Sequence, residues 1–238
     1  MTGEHLWPAW ASELFGKKKF VNTRREEGGK VITWEHDELN AKARVVCGAC
    51  NNGWMSDLEN RMKVVAADMV VKRSPKLLEE KEIATIAAFG FVKAVVGDYM
   101  HENRPPFYSA EERHLFRRTL SIPRGVQIWL ASMDGQHGVF KSMGGEAPLN
   151  TPGRIKLNVF TYGLGYLVIQ IVGVRWMKKS RNKYSSAPLL LESPEWNTTS
   201  IPIWPDCRTL VSWPPPSHLP HKSIDGFVKR WIELRPSW

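Results

Sequence analysis

Two short stretches of the 238-residue chain hold chemically active residue types at close spacing. The first is Glu4-His5, an acid beside an imidazole. The second is Cys47-Gly48-Ala49-Cys50-Asn51-Asn52-Gly53-Trp54, where an apolar helical pattern begins. An acid next to a His supplies a metal ligand and a general base from adjacent positions. A turn held by Cys-x-x-Cys can aim an amide side chain at the same point. Phosphodiester hydrolysis needs such parts: an activated water, and a cation that stabilises charge on the phosphoryl and leaving oxygens. Each piece also has a plainer reading. Glu-His near a terminus is ordinary polar surface, and Asn-Asn-Gly caps helices and turns chains. Cys47 and Cys50, two of only three cysteines, form no disulfide framework and suggest metal or redox chemistry.

The elements that would position these residues follow from periodicity. Val31–Trp34 and Ala43–Val46 read as short strands on either side of an acidic turn, Glu35 to Glu38. From about Asn52, Met55, Leu58, Met62, Val65 and Met69 recur at spacings of three and four, one apolar helix face that ends at Ser74-Pro75. Asp57 and Glu59 fall in its first turns, where carboxylates complement the helix dipole. A second helix, about Glu79 to Met100, is apolar nearly all round and so is expected to be buried on several sides. A third, basic helix runs from Ser109, its expected N-cap, to Leu120.

Beyond Pro123 the pattern turns to β. Val126–Leu130 and Lys156–Thr161 alternate, and Tyr166–Val174 is the continuous apolar run of a central strand. A Pro- and Trp-rich tail should wrap the sheet before a short helix at Ile224–Leu234. The expected fold is α+β, with a boundary near residue 74. A module at 1–74 precedes a helical segment and a mostly antiparallel sheet at 75–238.

A net charge of +9 favours a polyanionic partner. Residues 1–73 hold 12 basic and 10 acidic side chains, so most of the excess lies beyond them. Two basic patches stand out as phosphate contacts. One is Lys17, Lys18, Lys19, Arg24 and Arg25. The other is Arg175, Lys178, Lys179, Arg181 and Lys183, read as a loop at the sheet's edge. A solvated, solubilising turn is the plainer reading of the second, while the linker position of the first suits draping along a backbone. The most apolar stretch, Ile83–Val96, is interrupted by Lys93 and is too short to span a bilayer. The first residues lack the layout of a signal peptide, so a cytoplasmic protein is expected.

Taken together, Glu4-His5-Leu6-Trp7-Pro8-Ala9-Trp10 and Cys47 through Glu59 resemble the HNH endonuclease family. The likeness is to a bacterial branch marked by Glu-His-x-x-Pro-x-Trp and Cys-x-x-Cys-Asn-Asn-Gly-Trp-Met-Ser-x-Leu-Glu. It implies a ββα-metal module at 1–74 that cleaves DNA, an RNA substrate being chemically open as well. By the same resemblance His5 is the general base. Glu4 and Asn51 hold one Mg²⁺ or Mn²⁺, Asn52 is the ligand if the register shifts by one, and Asn40 orients the base. The helix of the module would sit near the minor groove, where a monomer nicks and a homodimer could cut both strands.

The branch carries a further Cys-x-x-Cys just before Glu-His, completing a structural Zn²⁺ site with Cys47 and Cys50. The sequence holds no such pair ahead of Glu4, which leaves three readings: a start further upstream, an incomplete site, or completion by Cys207 or His36. Two other functions compete with nuclease activity. One is a catalytically inactive nucleic-acid-binding protein on the same fold; the other is an interaction protein built on a partial zinc knuckle.

Overall fold

The structure, a computed structural model, describes residues 2–5, 7–15, 20–25, 31–36, 42–99, 105–148, 153–180, 183–188, 197–205 and 209–233. In 20–25, 31–36 and 42–44 it is the backbone that is described. The chain opens with β1 (Thr2–His5), α1 (Ala9–Phe15), β2 (Phe20–Arg25), β3 (Val31–His36) and β4 (Lys42–Val46). A single turn α2 (Gly48–Cys50) leads to α3 (Ser56–Lys72), β5 (Lys76–Glu79), α4 (Glu80–Asp98) and α5 (Ala110–Thr119). Long strands β6 (Val126–Pro148) and β7 (Gly153–Ser180) follow, then β8 (Lys183–Pro188), β9 (Ser200–Trp204), β10 (Leu210–Trp213) and α6 (Ile224–Glu233).

Pairing between these strands is antiparallel throughout, so the chain combines helices with antiparallel sheet, as expected. The main sheet has the order β8-β7-β6-β9. Three two-stranded ladders accompany it: β1-β4, β2-β3 and β5-β10. The strands read at 31–34 and 43–46 are present within β3 and β4, but they pair with β2 and β1 and not with each other.

Alternation along β6 and β7 explains the layering. Val126, Ile128 and Leu130, with Leu167, Ile169 and Ile171, join the core that includes Leu58, Met62 and Met69 of α3 and Phe89 and Phe91 of α4. Their neighbours Trp129, Val172 and Val174 face the other way, against Val228 and Trp231 of α6. The sheet is therefore covered on both sides, which is why Tyr166–Val174 reads as a continuous apolar run. The larger core runs from Trp7 to Trp213 and so draws on residues either side of position 74.

Helix ends follow local chemistry. Glu79 and Glu82 form a capping box at the start of α4, and Ser109 and Glu112 form another at α5. Helix α3 stops at Lys72 because Arg73 turns left-handed (φ 53°), just ahead of Ser74-Pro75. Its last turn lies so close to β7 that only glycine fits opposite. Gly165 has φ +59°, and a Cβ there would stand 2.0 Å from the Val70 carbonyl oxygen.

Residues 175–180, expected as a basic loop, instead continue β7 and pair with β8, Arg175 opposite Pro188 and Ser180 opposite Lys183. The apolar run ends at Val174, but the hydrogen-bond ladder does not, and charged residues suit an exposed hairpin end. On the opposite sheet face, α6 is fixed by polar contacts. Buried Gln170 donates to Thr161 Oγ1 (2.9 Å) and the Phe227 carbonyl (3.2 Å), and accepts from Trp231 Nε1 (2.8 Å). Among the described residues, no helix is long and apolar enough to cross a membrane.

Candidate active site

Strand pairing brings the two chemical stretches of the sequence together. Glu4 lies opposite Ala43 and His5 opposite Lys42, and the register shifts between Thr2 and Glu4, where β4 holds the extra residue between Val46 and Ala43. From β4 the chain runs directly into the Cys47 turn. Cys47 Sγ accepts from the Cys50 amide at 3.4 Å, and the Asn51 amide donates to the Cys47 carbonyl at 3.0 Å. The chain kinks within Asn51–Met55, where Gly53 leaves helical dihedrals at φ −105°, ψ −117°. This irregular turn places Asn51 beside β1, where its Nδ2 donates to the Gly3 carbonyl at 3.5 Å. Asn51 is half-buried and Asn52 is exposed, so Asn51 is the member of the pair that approaches the Glu4-His5 strand.

Behind β1 lies a charge cluster that sequence reasoning did not find. Lys93 projects from the middle of α4, and its side chain is fully buried (0 %). Its ammonium donates to Glu4 Oε1 at 2.7 Å, the His5 carbonyl at 2.8 Å and Glu59 Oε1 at 2.6 Å. Three N–H donors thus meet three acceptors on β1 and α3. The ammonium also lies 5.4 Å from the centre of the Phe89 ring. Two carboxylates against one ammonium leave a net charge of about −1 when all three are ionised. Burial raises the Glu4 pKa from its ordinary value; Lys93 opposes that shift and the Glu59 charge adds to it.

Next to this cluster, the Tyr162 hydroxyl is buried and makes no hydrogen bond among the described residues. Burial pushes its pKa up, and the charges of Glu59 and Glu4 push the same way, so it stays a neutral phenol. The one signal for the cluster was Lys93 itself, a single charge inside an apolar helix. A buried charge must find partners. Read only as an interruption of the apolar run, it did not reveal which carboxylates those were.

Glu4 and Asn51 offer oxygen atoms to a hard divalent cation. Lys93 uses Oε1 of Glu4, leaving Oε2, and Gly3 takes the amide nitrogen of Asn51, leaving its carbonyl oxygen. Such donors and the residual negative charge fit Mg²⁺ or Mn²⁺, with the remaining positions filled by water and phosphate oxygens. No group of three or more His, Cys, Asp and Glu poised for a metal occurs among the described residues. Cys47 and Cys50 are free thiols, the first exposed and the second buried, and two thiols alone do not meet the four-ligand requirement of structural zinc.

The remaining expected positions are less concentrated. Asn40, Lys17, Lys18, Lys19, Arg181 and Cys207 lie outside the described residues, as do the side chains of Arg24, Arg25, His36, Lys179 and Lys183. Lys178 is exposed on β7. Arg175 is turned inward: it donates to the Arg124 carbonyl at 2.6 Å, pairs with Glu112, and covers the Phe107 ring at 5.3 Å.

A basic surface that the sequence did not single out lies beside the Cys47 turn. A groove of about 530 Å³ is lined by Trp54, Asp57, Asn60, Arg61, Arg117 and Leu120. The indole N–H of Trp54 is buried there without a partner among the described residues. The Cys47 thiol is shifted below its ordinary pKa by hydrogen bonding to the Cys50 side chain and amide, and further by the charge of Arg117. Arg117 is followed by Arg118 in the basic helix α5, whereas Arg61 lies 56 positions earlier on α3; the two helices bring Arg61 and Arg117 together. No family model, curated protein or solved structure matches the chain.

Proposed function

We propose that the protein is a metal-dependent endonuclease of the HNH type, hydrolysing DNA phosphodiester bonds. The observation that carries this reading is the meeting of β1 and the Cys47 turn. It sets Asn51 against the strand that bears Glu4 and His5, at the head of a long helix. Two paired strands and that helix make a ββα arrangement from β1, β4 and α3. The groove with Arg61 and Arg117 offers guanidinium groups for backbone phosphates next to the same turn.

In this reading His5 removes a proton from the attacking water, which requires its imidazole to be neutral at working pH. Glu4 and Asn51 would hold the divalent cation, which when bound stabilises charge on the phosphoryl and leaving oxygens. Burial of Glu4 keeps bulk water from competing for its carboxylate. Asn51 is oriented by the Gly3 carbonyl, so its free oxygen is presented without rotamer search. Arg61 and Arg117 would contact the DNA backbone, which provides affinity without sequence readout.

Nicking of supercoiled plasmid with Mg²⁺ or Mn²⁺ tests the proposal, with His5→Ala and EDTA as controls. Cleavage by the wild type that both controls abolish supports it. Unchanged cleavage in His5→Ala refutes the catalytic assignment. One observation favours a second reading, a protein that binds nucleic acid without cutting it: Lys93 already supplies Glu4 with a positive partner. Folded wild type that binds DNA equally well in EDTA, with no nicking, supports that reading instead.

A further inference from the structure

We infer that Lys93 is a positioning residue for the active site, resting on the nuclease reading above. Its three donors go to the side chain of Glu4, the backbone carbonyl of His5 and the side chain of Glu59. Those acceptors belong to β1 and α3, the strand and helix that carry the metal ligand, the base and the continuation of the Asn51 turn. One ammonium therefore fixes both halves of the site relative to each other. The His5 carbonyl contact is the telling one. A lysine retained only to neutralise carboxylates has no need of a backbone oxygen on the residue assigned as base.

Stability alone is a poor explanation for the arrangement. An ion cluster built on a fully buried lysine and a nearly buried Glu4 gains little over well-packed apolar side chains of similar volume, because desolvation offsets the attraction. The α4 face that bears Lys93 is otherwise lined with residues such as Phe89 and Ile86, where a methionine would fit by character. Lys93 instead gives direction. It pins the backbone at His5, and it holds one oxygen of Glu4 so that the other keeps a fixed orientation. Misplacement of reacting groups by about 1 Å is enough to cost on the order of 100-fold in rate. Lys93 also lies in α4, past residue 74, so the catalytic geometry of the first 74 residues depends on the chain beyond them.

The test compares wild type, Lys93→Met and the double variant Lys93→Met/Glu59→Gln, which keeps the same net charge in the cluster as the wild type. Nicking is measured at saturating Mn²⁺ and at temperatures where circular dichroism shows each protein folded. In parallel, NMR of ¹⁵N-labelled lysine looks for a slowly exchanging ammonium signal at neutral pH. The expected result is that kcat falls by about 100-fold in both variants. The KM for DNA stays within about threefold, since binding geometry is uniform in both. The ammonium signal should be present in wild type and lost in both variants.

Wild-type kcat in the double variant overturns the inference, because Lys93 would then only balance charge. So does wild-type kcat in folded Lys93→Met. A wild type that nicks plasmid without the ammonium signal sinks the role of Lys93 alone. A wild type that shows the signal and nicks nothing sinks the nuclease reading, and the positioning role with it.

Discussion

Asn51 donates from its side-chain amide to the backbone carbonyl of Gly3, across 48 positions of sequence. The contact joins the turn after β4 to the strand that precedes it in the ladder, and it distinguishes Asn51 from its exposed neighbour. Asn51→Ala should raise the Mn²⁺ concentration needed for half-maximal nicking by about 10–100-fold, the usual cost of losing an oriented ligand or its support. Asn52→Ala should leave it within about twofold, as for other exposed substitutions. A metal titration of nicking by the two variants checks the pair. A larger effect at Asn52 would move the ligand by one residue.

The raised pKa of Glu4 makes stability depend on pH in a definite direction. Between the unfolded value of 4.5 and the higher folded value, the native protein binds more protons at this site than the unfolded chain. Stability contributed by Glu4 therefore falls as pH rises through that window. Thermal melts in EDTA, for wild type and Glu4→Gln, isolate the effect. The difference in Tm, wild type minus variant, should decrease from pH 4.5 upward. A difference that increases would mean that Lys93 dominates burial at Glu4.

Arg61 and Arg117 line the groove beside the Cys47 turn, and each phosphate contact they make should release a counterion. Binding of DNA to Arg61→Ala or Arg117→Ala should weaken, and the slope of log K against log salt should lose about one unit per contact. Fluorescence anisotropy at several salt concentrations measures both quantities. Arg175→Ala should leave the slope unchanged, because its guanidinium is spent on Glu112 and the Arg124 carbonyl. A slope that changes for Arg175 and not for Arg61 or Arg117 would place the DNA on the other side of the molecule.

Cys47 and Cys50 should react at very different rates. Cys47 is exposed with a lowered pKa, so more of it is thiolate at neutral pH than in a free thiol; Cys50 is buried. Mass spectrometry after brief iodoacetamide treatment should find Cys47 alkylated well before Cys50. Zinc that protects both residues equally would reveal a metal site completed by ligands outside the described residues.

Much of this organisation was legible in the sequence because it is local. The Ser109 N-cap, the all-round apolar helix at α4 and the alternation in β6 each depend on neighbours a few residues away. Strand partners are different. Nothing near Val31 or Ala43 distinguishes pairing with each other from pairing with β2 and β1. The pairing of Glu4-His5 with Asn51 could be anticipated only through the resemblance to a family motif, not from spacing. The Lys93 cluster was missed for a physical reason. Its partners stand 34 and 89 positions away, and the sequence carries no sign of which carboxylates a helix will face. Arg175 was expected in a loop because a run of basic residues looks uniform, whereas it lies on a strand with its guanidinium turned inward.

The β5-β10 ladder has a consequence for the order in which the molecule can be completed. Lys76–Glu79 pairs with Leu210–Trp213, so the strand that leads into α4 waits for a partner from near the end of the chain. At roughly 5–20 residues per second, that partner leaves the ribosome on the order of 10 s later. During that interval the helix bearing Lys93 lacks its final anchor, and the site at the N-terminus is not yet held. A nascent chain that has already exposed Glu4, His5 and Asn51 thus completes the β5-β10 ladder only after Trp213 has emerged.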